Sequence, residues 1–178
     1  MDVQIVQATP RDAAAVAQLA ATTFPLACPP DDPQEDINAF IASGLTTDRF
    51  ASHLTQPTRT VLIATDDDRL LGYVLVVHEP PPDPEVRAAL HAAPTTELSK
   101  CYVRAEWHGR GIAPQLLTAA AEHAAARGAR SLWLGVSSVN ARAQRFYGKN
   151  GFRPVGHKDF RVGSQQYRDV VLERSLDV

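Results

Sequence analysis

Apolar residues recur along this chain at helical spacing in some stretches and crowd into short β-rich runs in others, and the changes between the two outline its elements. Residues 3–5 read as a first strand. Thr9-Pro10-Arg11-Asp12 then marks a helix start, with threonine as N-cap, proline at the first helical position and an acid in the first turn. Val16, Leu19 and Ala20 give that helix an apolar face up to about Phe24, after which four prolines between Pro25 and Pro33 break regularity. A second helix from Gln34 places Ile37, Phe40 and Ile41 on one face and stops at Gly44, and residues 47–54 fit a short third one. Residues 60–64 and 70–77 read as an antiparallel hairpin turning through Asp66-Asp67-Asp68. A proline-rich loop over 79–94 has room for one helical turn at 86–90.

The second half alternates more regularly. A strand over 97–103 meets the glycine turn His108-Gly109-Arg110-Gly111-Ile112-Ala113, and an alanine- and leucine-rich helix follows from Pro114 to Arg127, closed by Gly128. Residues 130–136 form a buried strand, 141–149 a short helix ended by Asn150-Gly151, and 153–161 with 165–172 a last hairpin through Gly163-Ser164. No repeat or linker divides the chain, so 1–178 is one α/β domain with a mixed sheet and helices on both faces.

Composition narrows the function classes. A formal net charge of -2 offers no polycationic face for nucleic acid. The two cysteines, Cys28 and Cys101, form neither a disulfide framework nor a metal-type spacing, and His53, His78, His91, His123 and His157 are scattered, so no metal site is expected. The N-terminus lacks a signal-peptide pattern and no apolar run is long enough for a bilayer, which points to a soluble, cytoplasmic protein with no membrane partner.

The glycine turn carries the chemistry. A strand feeding such a turn into a helix leaves several N–H groups without helical partners, all pointing one way, and these donors with the positive end of the helix dipole make a phosphate cradle. The P-loop pattern is excluded, since no Gly-Lys-Ser or Gly-Lys-Thr occurs. The dinucleotide fingerprint is excluded because Gly109 and Gly111 are followed by Pro114 rather than a third glycine.

His108 to Ala113 resembles the acetyl-CoA pyrophosphate loop of the GNAT superfamily of N-acetyltransferases, [QR]-x-x-G-x-[GA], with Gly111 and Ala113 at its last two fixed positions and His108 where Gln or Arg is usual. Asn140-Ala141-Arg142-Ala143-Gln144-Arg145-Phe146-Tyr147, followed by Gly148-Lys149-Asn150-Gly151-Phe152, is similar to the N-x-x-A-x-x-F-Y-x-k-x-G-F signature of the same family. The strand Glu97-Leu98-x-x-x-Tyr102-Val103 and the run F-x-V-G-x-x-x-x-x-D from Phe160 to Asp169 resemble its bacterial polyamine N-acetyltransferase-like branch. The resemblance implies the GNAT fold, a mostly antiparallel sheet of about seven strands, and acetyl-CoA as cosubstrate. It also allows a homodimer.

Under this resemblance the acetyl donor is held by His108, Gly109, Arg110, Gly111, Ile112 and Ala113. A bulge on the strand before them frees backbone groups of Cys101, Tyr102 and Val103 for the pantetheine arm, with an N–H near Tyr102 as oxyanion donor. Tyr147 is the candidate general acid for the departing thiolate, or else packs the helix onto the sheet. Asn140 caps that helix, meets the pantetheine arm, or both. Glu97 is the candidate base, acting through water and by orienting the amine, unless it is only a solvated edge charge; Ser99 is expected on its face and Lys100 on the opposite one. Asp31, Asp32, Glu35 and Asp36 either line an acceptor channel or serve the helix start alone. The reading is direct attack by a primary amine of a small molecule, a polyamine being one candidate. A protein N-terminal or lysine acetyltransferase and a non-catalytic acyl-CoA-binding module are the rivals.

Overall fold

The structure is a computed structural model and describes residues 1–176. Seven strands form one sheet in the order β1-β2-β3-β4-β5-β7-β6: β1 Val3–Gln7, β2 Arg59–Asp66, β3 Arg69–Val77, β4 Thr95–Val103, β5 Ser131–Val136, β6 Arg153–Val162 and β7 Gln165–Ser175. Every neighbouring pair is antiparallel except β4 and β5. The parallel pair has a cause in the chain. Helix α5 (Ile112–Ala126) lies between these two strands in sequence, and a crossover helix returns the chain in the same direction.

The other helices are α1 (Ala13–Thr23), α2 (Gln34–Gly44), α3 (Thr47–Thr55), α4 (Pro84–Ala89) and α6 (Ala141–Lys149). On one face of the sheet, α5 buries Ile112, Leu116, Leu117, Ala120 and Ala124 against Leu98, Leu132 and Leu134. On the other, α1 and α3 bury Val16, Leu19 and Phe50 against Val61, Tyr73 and Leu75. Each fully buried leucine is worth about 1.5–3 kcal/mol, so α5 is held by its apolar stripe more than by intrinsic propensity. The turns obey local rules. Asp12 accepts from the Thr9 N–H at 2.7 Å and closes the first turn before α1, and the β2–β3 turn bends at Asp67 with φ of 53°. No helix among the described residues is long and apolar enough to cross a membrane.

One boundary moves. Helix α5 starts at Ile112, two residues before Pro114, with Gly111 as its left-handed N-cap at φ of 78°. Proline is tolerated at the third position because its missing N–H falls among the four that have no helical acceptor.

Candidate active site

Pairing between β4 and β5 covers only Thr95 with Ser131, Thr96 with Leu132 and Glu97 with Trp133. Beyond Glu97 the strands part, and a cleft of about 770 Å³ opens between them. The departure coincides with a bulge on β4: Leu75 of β3 faces Lys100 while Val76 faces Leu98, so Ser99 is the extra residue.

The bulge reverses the parity of the strand. Leu98 packs on the α5 face, and so do Cys101 and Val103, three and five residues later, while Tyr102 packs on the opposite face. Glu97 and Lys100 therefore share that opposite face with Tyr102. The sequence expectation that Lys100 points away from Glu97 is corrected, because regular alternation does not survive an inserted residue.

Ladder phase then decides which backbone groups are free. The Arg104 N–H donates to the Leu71 carbonyl at 2.9 Å, so Tyr102, two residues back, spends its N–H and carbonyl on Tyr73 of β3. The outward groups belong to Cys101 and Val103. The free N–H groups near Tyr102 are thus those of Cys101 and Val103, and not that of Tyr102 itself. The Val103 carbonyl already accepts from Nε2 of His108 at 2.7 Å, which fixes the proton on that nitrogen; Nδ1 faces Arg142 at 3.4 Å. His108 accordingly turns back to clamp the loop onto β4.

At one end of the cleft lies the cradle. Among the described residues, none of the amides of Gly109, Arg110, Gly111, Ile112 and Ala113 donates to a backbone carbonyl. Gly109 and Gly111 both hold positive φ, and a Cβ added to either would project into open space, so the surface over these amides is clear. Arg110 stacks its guanidinium 4.9 Å from the Trp107 ring centroid, which steadies the loop. A pyrophosphate fits this array of donors at a helix N-terminus.

The side chains converge further along. Tyr147 lines the cleft, its ring held edge-on by Phe146 and Phe152, and burial pushes its hydroxyl well above the usual phenol range. Asn140 lines the cleft and also caps α6, accepting from the Ala143 N–H at 3.0 Å. Glu97 lies at the fork of β4 and β5, and burial raises its pKa against the pull of Lys158, Lys100 and Arg59. Cys101 also lines the cleft, but burial pushes its thiol up to about 12, which leaves it protonated and poorly nucleophilic.

Asp169 was not singled out by chemistry in the sequence. It lines the cleft from β7, is only 6% exposed, and one of its oxygens, Oδ1, is buried without a partner. Burial, opposed by Lys158, raises its pKa to about 6. Gly135 of β5 makes room for this pair: a Cβ there would stand 2.9 Å from Lys158 Cδ and 3.5 Å from Asp169 Oδ2. The signal for Asp169 was present only as the last letter of the Phe160-to-Asp169 run; the side chains of Phe160 and Val162 in that run lie outside the described residues.

The acidic cluster does not converge. Only Asp32 lines the cleft, where it accepts from the Tyr167 hydroxyl. Asp36 accepts from the Ser164 hydroxyl at 2.7 Å, and Asp31 and Glu35 are exposed on the surface. Two of the four carboxylates thus fasten the start of α2 to the β6–β7 hairpin, and the expected four-carboxylate channel is corrected to a single cleft residue.

Comparison with known proteins bears on the family and the fold. The acetyltransferase (GNAT) family model matches residues 14–152. An uncharacterized N-acetyltransferase of Mycobacterium tuberculosis is 41% identical over 165 residues, which cover 93% of this chain and 98% of that protein. The crystal structure of a PaiA N-acetyltransferase from Thermoplasma acidophilum in complex with coenzyme A superposes with a TM-score of 0.78 at 19% identity, covering 98% of this chain and 99% of that one.

Proposed function

Because the chain belongs to the acetyltransferase (GNAT) family and is an N-acetyltransferase, we propose that it transfers acetyl from acetyl-CoA to a primary amine of a small molecule by direct attack in a ternary complex. The observation that carries this reading is the single cleft that joins the free amides of residues 109–113 to the parted strands β4 and β5. The coenzyme A pyrophosphate lies on the amides, and the pantetheine arm fills the gap as a missing strand would.

Chemistry then falls to three groups of the chain. An outward N–H of Cys101 or Val103 donates to the thioester oxygen as negative charge develops there. Glu97 or Asp169 takes the amine proton, directly or through water, and both have pKa values raised toward the range where a base is most effective. The amine attacks the carbonyl carbon, the C–S bond breaks, and Tyr147 returns a proton to the thiolate. Its raised pKa keeps the phenol protonated at any working pH. Direct attack is favoured over an acetylated cysteine because Cys101 is held as a thiol.

A polyamine acceptor draws support from the resemblance of the strand and C-terminal run, but three of the four carboxylates expected to recruit it do not line the cleft. The test is coenzyme A release across a panel of amines and peptides, together with calorimetry of acetyl-CoA binding. Release with small primary amines supports the reading; release with peptides alone moves it to a protein acetyltransferase. Acetyl-CoA binding without release from any acceptor reduces it to a binding module.

A further inference from the structure

Beside the main cleft, and sharing with it Phe40, Glu97, Ser99 and Lys100, lies a second cavity of about 290 Å³. Its walls come from the ends of α2 and α3, the start of β2, the Pro80-Pro81-Pro82 loop and the bulge of β4. The charges in those walls are unbalanced. Arg49, Arg59 and Lys100 face Glu79 and Glu97 alone.

Glu79 accepts from the Thr58 hydroxyl at 2.6 Å, and burial pushes both Glu97 and Lys100 toward their neutral forms, so the excess of positive charge rests on Arg49 and Arg59. None of the three cations makes an ion pair among the described residues. Arg59 is the most informative. Its Nη1 lies 2.8 Å from His53 Nδ1, while its Nε is buried with no hydrogen-bond partner. His53 accepts that bond as a neutral ring, its pKa lowered to about 4 by burial and then by Arg59, Lys100 and Arg49. A buried guanidinium N–H with nothing to donate to is costly, and a planar oxyanion is the group its geometry matches. The Lys100 ammonium stands 5.9 Å from the Phe40 ring centroid, on the same wall as Glu97.

We propose that this cavity is the acceptor subsite for a carboxylate, so that the enzyme acetylates a small aminocarboxylate, with the carboxylate on Arg59 and Lys100 and the amine reaching the main cleft past Glu97. This rests on the acetyl-transfer reading for the amine end, while the anion site stands on its own geometry. A polyamine would place a second cation among three others, which a cavity partly closed from water penalises. An aminocarboxylate matches a cationic pocket at one end and a carboxylate base at the other. The volume holds a short chain and excludes a folded peptide segment.

The experiment compares 5-aminopentanoate, pentylamine and cadaverine, matched in length and differing at the far end, by coenzyme A release at low salt. Alongside it, thermal shift with glutarate probes the anion site without turnover. The aminocarboxylate should have the highest kcat/KM. Arg59→Gln should raise its KM by about 10–100-fold, the worth of a charged hydrogen bond, and leave the acetyl-CoA KM and the pentylamine KM close to wild type. Glutarate should raise the wild-type melting temperature and not that of Arg59→Gln. Lys100→Met provides a second variant if Arg59→Gln folds poorly, with the same expected KM shift. Cadaverine or pentylamine turned over as well as 5-aminopentanoate overturns the proposal, as does a glutarate shift that survives both variants. Absent acetyl-CoA binding by calorimetry overturns acetyl transfer instead, and the glutarate result still decides the anion site.

Discussion

Asp169→Asn should make this protein more stable at neutral pH and a poorer catalyst. The carboxylate is 6% exposed, Oδ1 has no partner, and its pKa is raised from 3.8 to about 6. In free-energy terms that rise sets a ceiling of about 3 kcal/mol against the ionised form. The group borders an open cleft and feels Lys158, so solvent screening and the cost of burying an amide leave roughly 1–2 kcal/mol to be recovered. The sign follows from proton counting. Between pH 3.8 and about 6 the folded state holds the proton that the unfolded chain has released, so wild-type stability falls as pH rises through this window. An asparagine does not titrate, so its advantage is near zero below pH 4 and complete above pH 7. At about 2–4 °C per kcal/mol for a domain of this size, the variant should melt several degrees higher at pH 7.5 and close to wild type at pH 4. Calorimetric melting or urea midpoints at the two pH values measure it. A variant less stable than wild type at pH 7.5, or an offset that is the same at both pH values, refutes the assignment of Asp169 as a strained, functionally retained carboxylate.

Three further outcomes are expected. Tyr147→Phe should lower turnover by about 10²–10⁴-fold with acetyl-CoA affinity nearly unchanged, because only the proton donor is removed; single-turnover kinetics checks this independently of product release. Gly111→Val should lose acetyl-CoA binding by calorimetry, since a β-branched residue is strained at φ of 78° and its side chain would stand over the amides of residues 109–113. Cys101→Ser should keep turnover within about an order of magnitude, and iodoacetamide at pH 7.5 should leave Cys101 unmodified, because a thiol held near 12 is not a nucleophile at that pH.

The parts of this molecule that follow local rules were legible from the chain. The helix over 34–44 ends at its glycine, the helix over 141–149 has the expected bounds, and the seven-stranded, mostly antiparallel sheet has helices on both faces. The glycine turn was readable for the same reason: a left-handed N-cap is a backbone demand that the sequence must meet with glycine. What stayed hidden depends on register. A bulge on this strand was implied by the family resemblance, but its place at Ser99 has no compositional mark, and yet that place exchanges the faces of Lys100 and Cys101 and moves the free amides off Tyr102. Asp169 and Arg59 were equally unreadable, since a carboxylate and a guanidinium become chemical only when the fold buries one polar atom of each without a partner.

Under the proposed function, that single inserted residue also accounts for how one strand serves two substrates of different kind. On the far side of the bulge β4 offers backbone alone, the outward amides of Cys101 and Val103, which suits a donor whose arm is the same in every turnover. At the bulge it offers side chains, Glu97 and Lys100 on one face, which suits an acceptor that must be chosen by charge. A regular strand would send Lys100 into the α5 core, where its ammonium would face Leu116 and Leu132 and cost several kcal/mol. It would also bring Cys101 onto the acceptor wall. Parity reversal therefore keeps the thiol on the α5 side of the cleft and the cation beside the base. With the acceptor subsite as proposed, acceptor preference is tied to backbone register as firmly as to the identity of any one side chain.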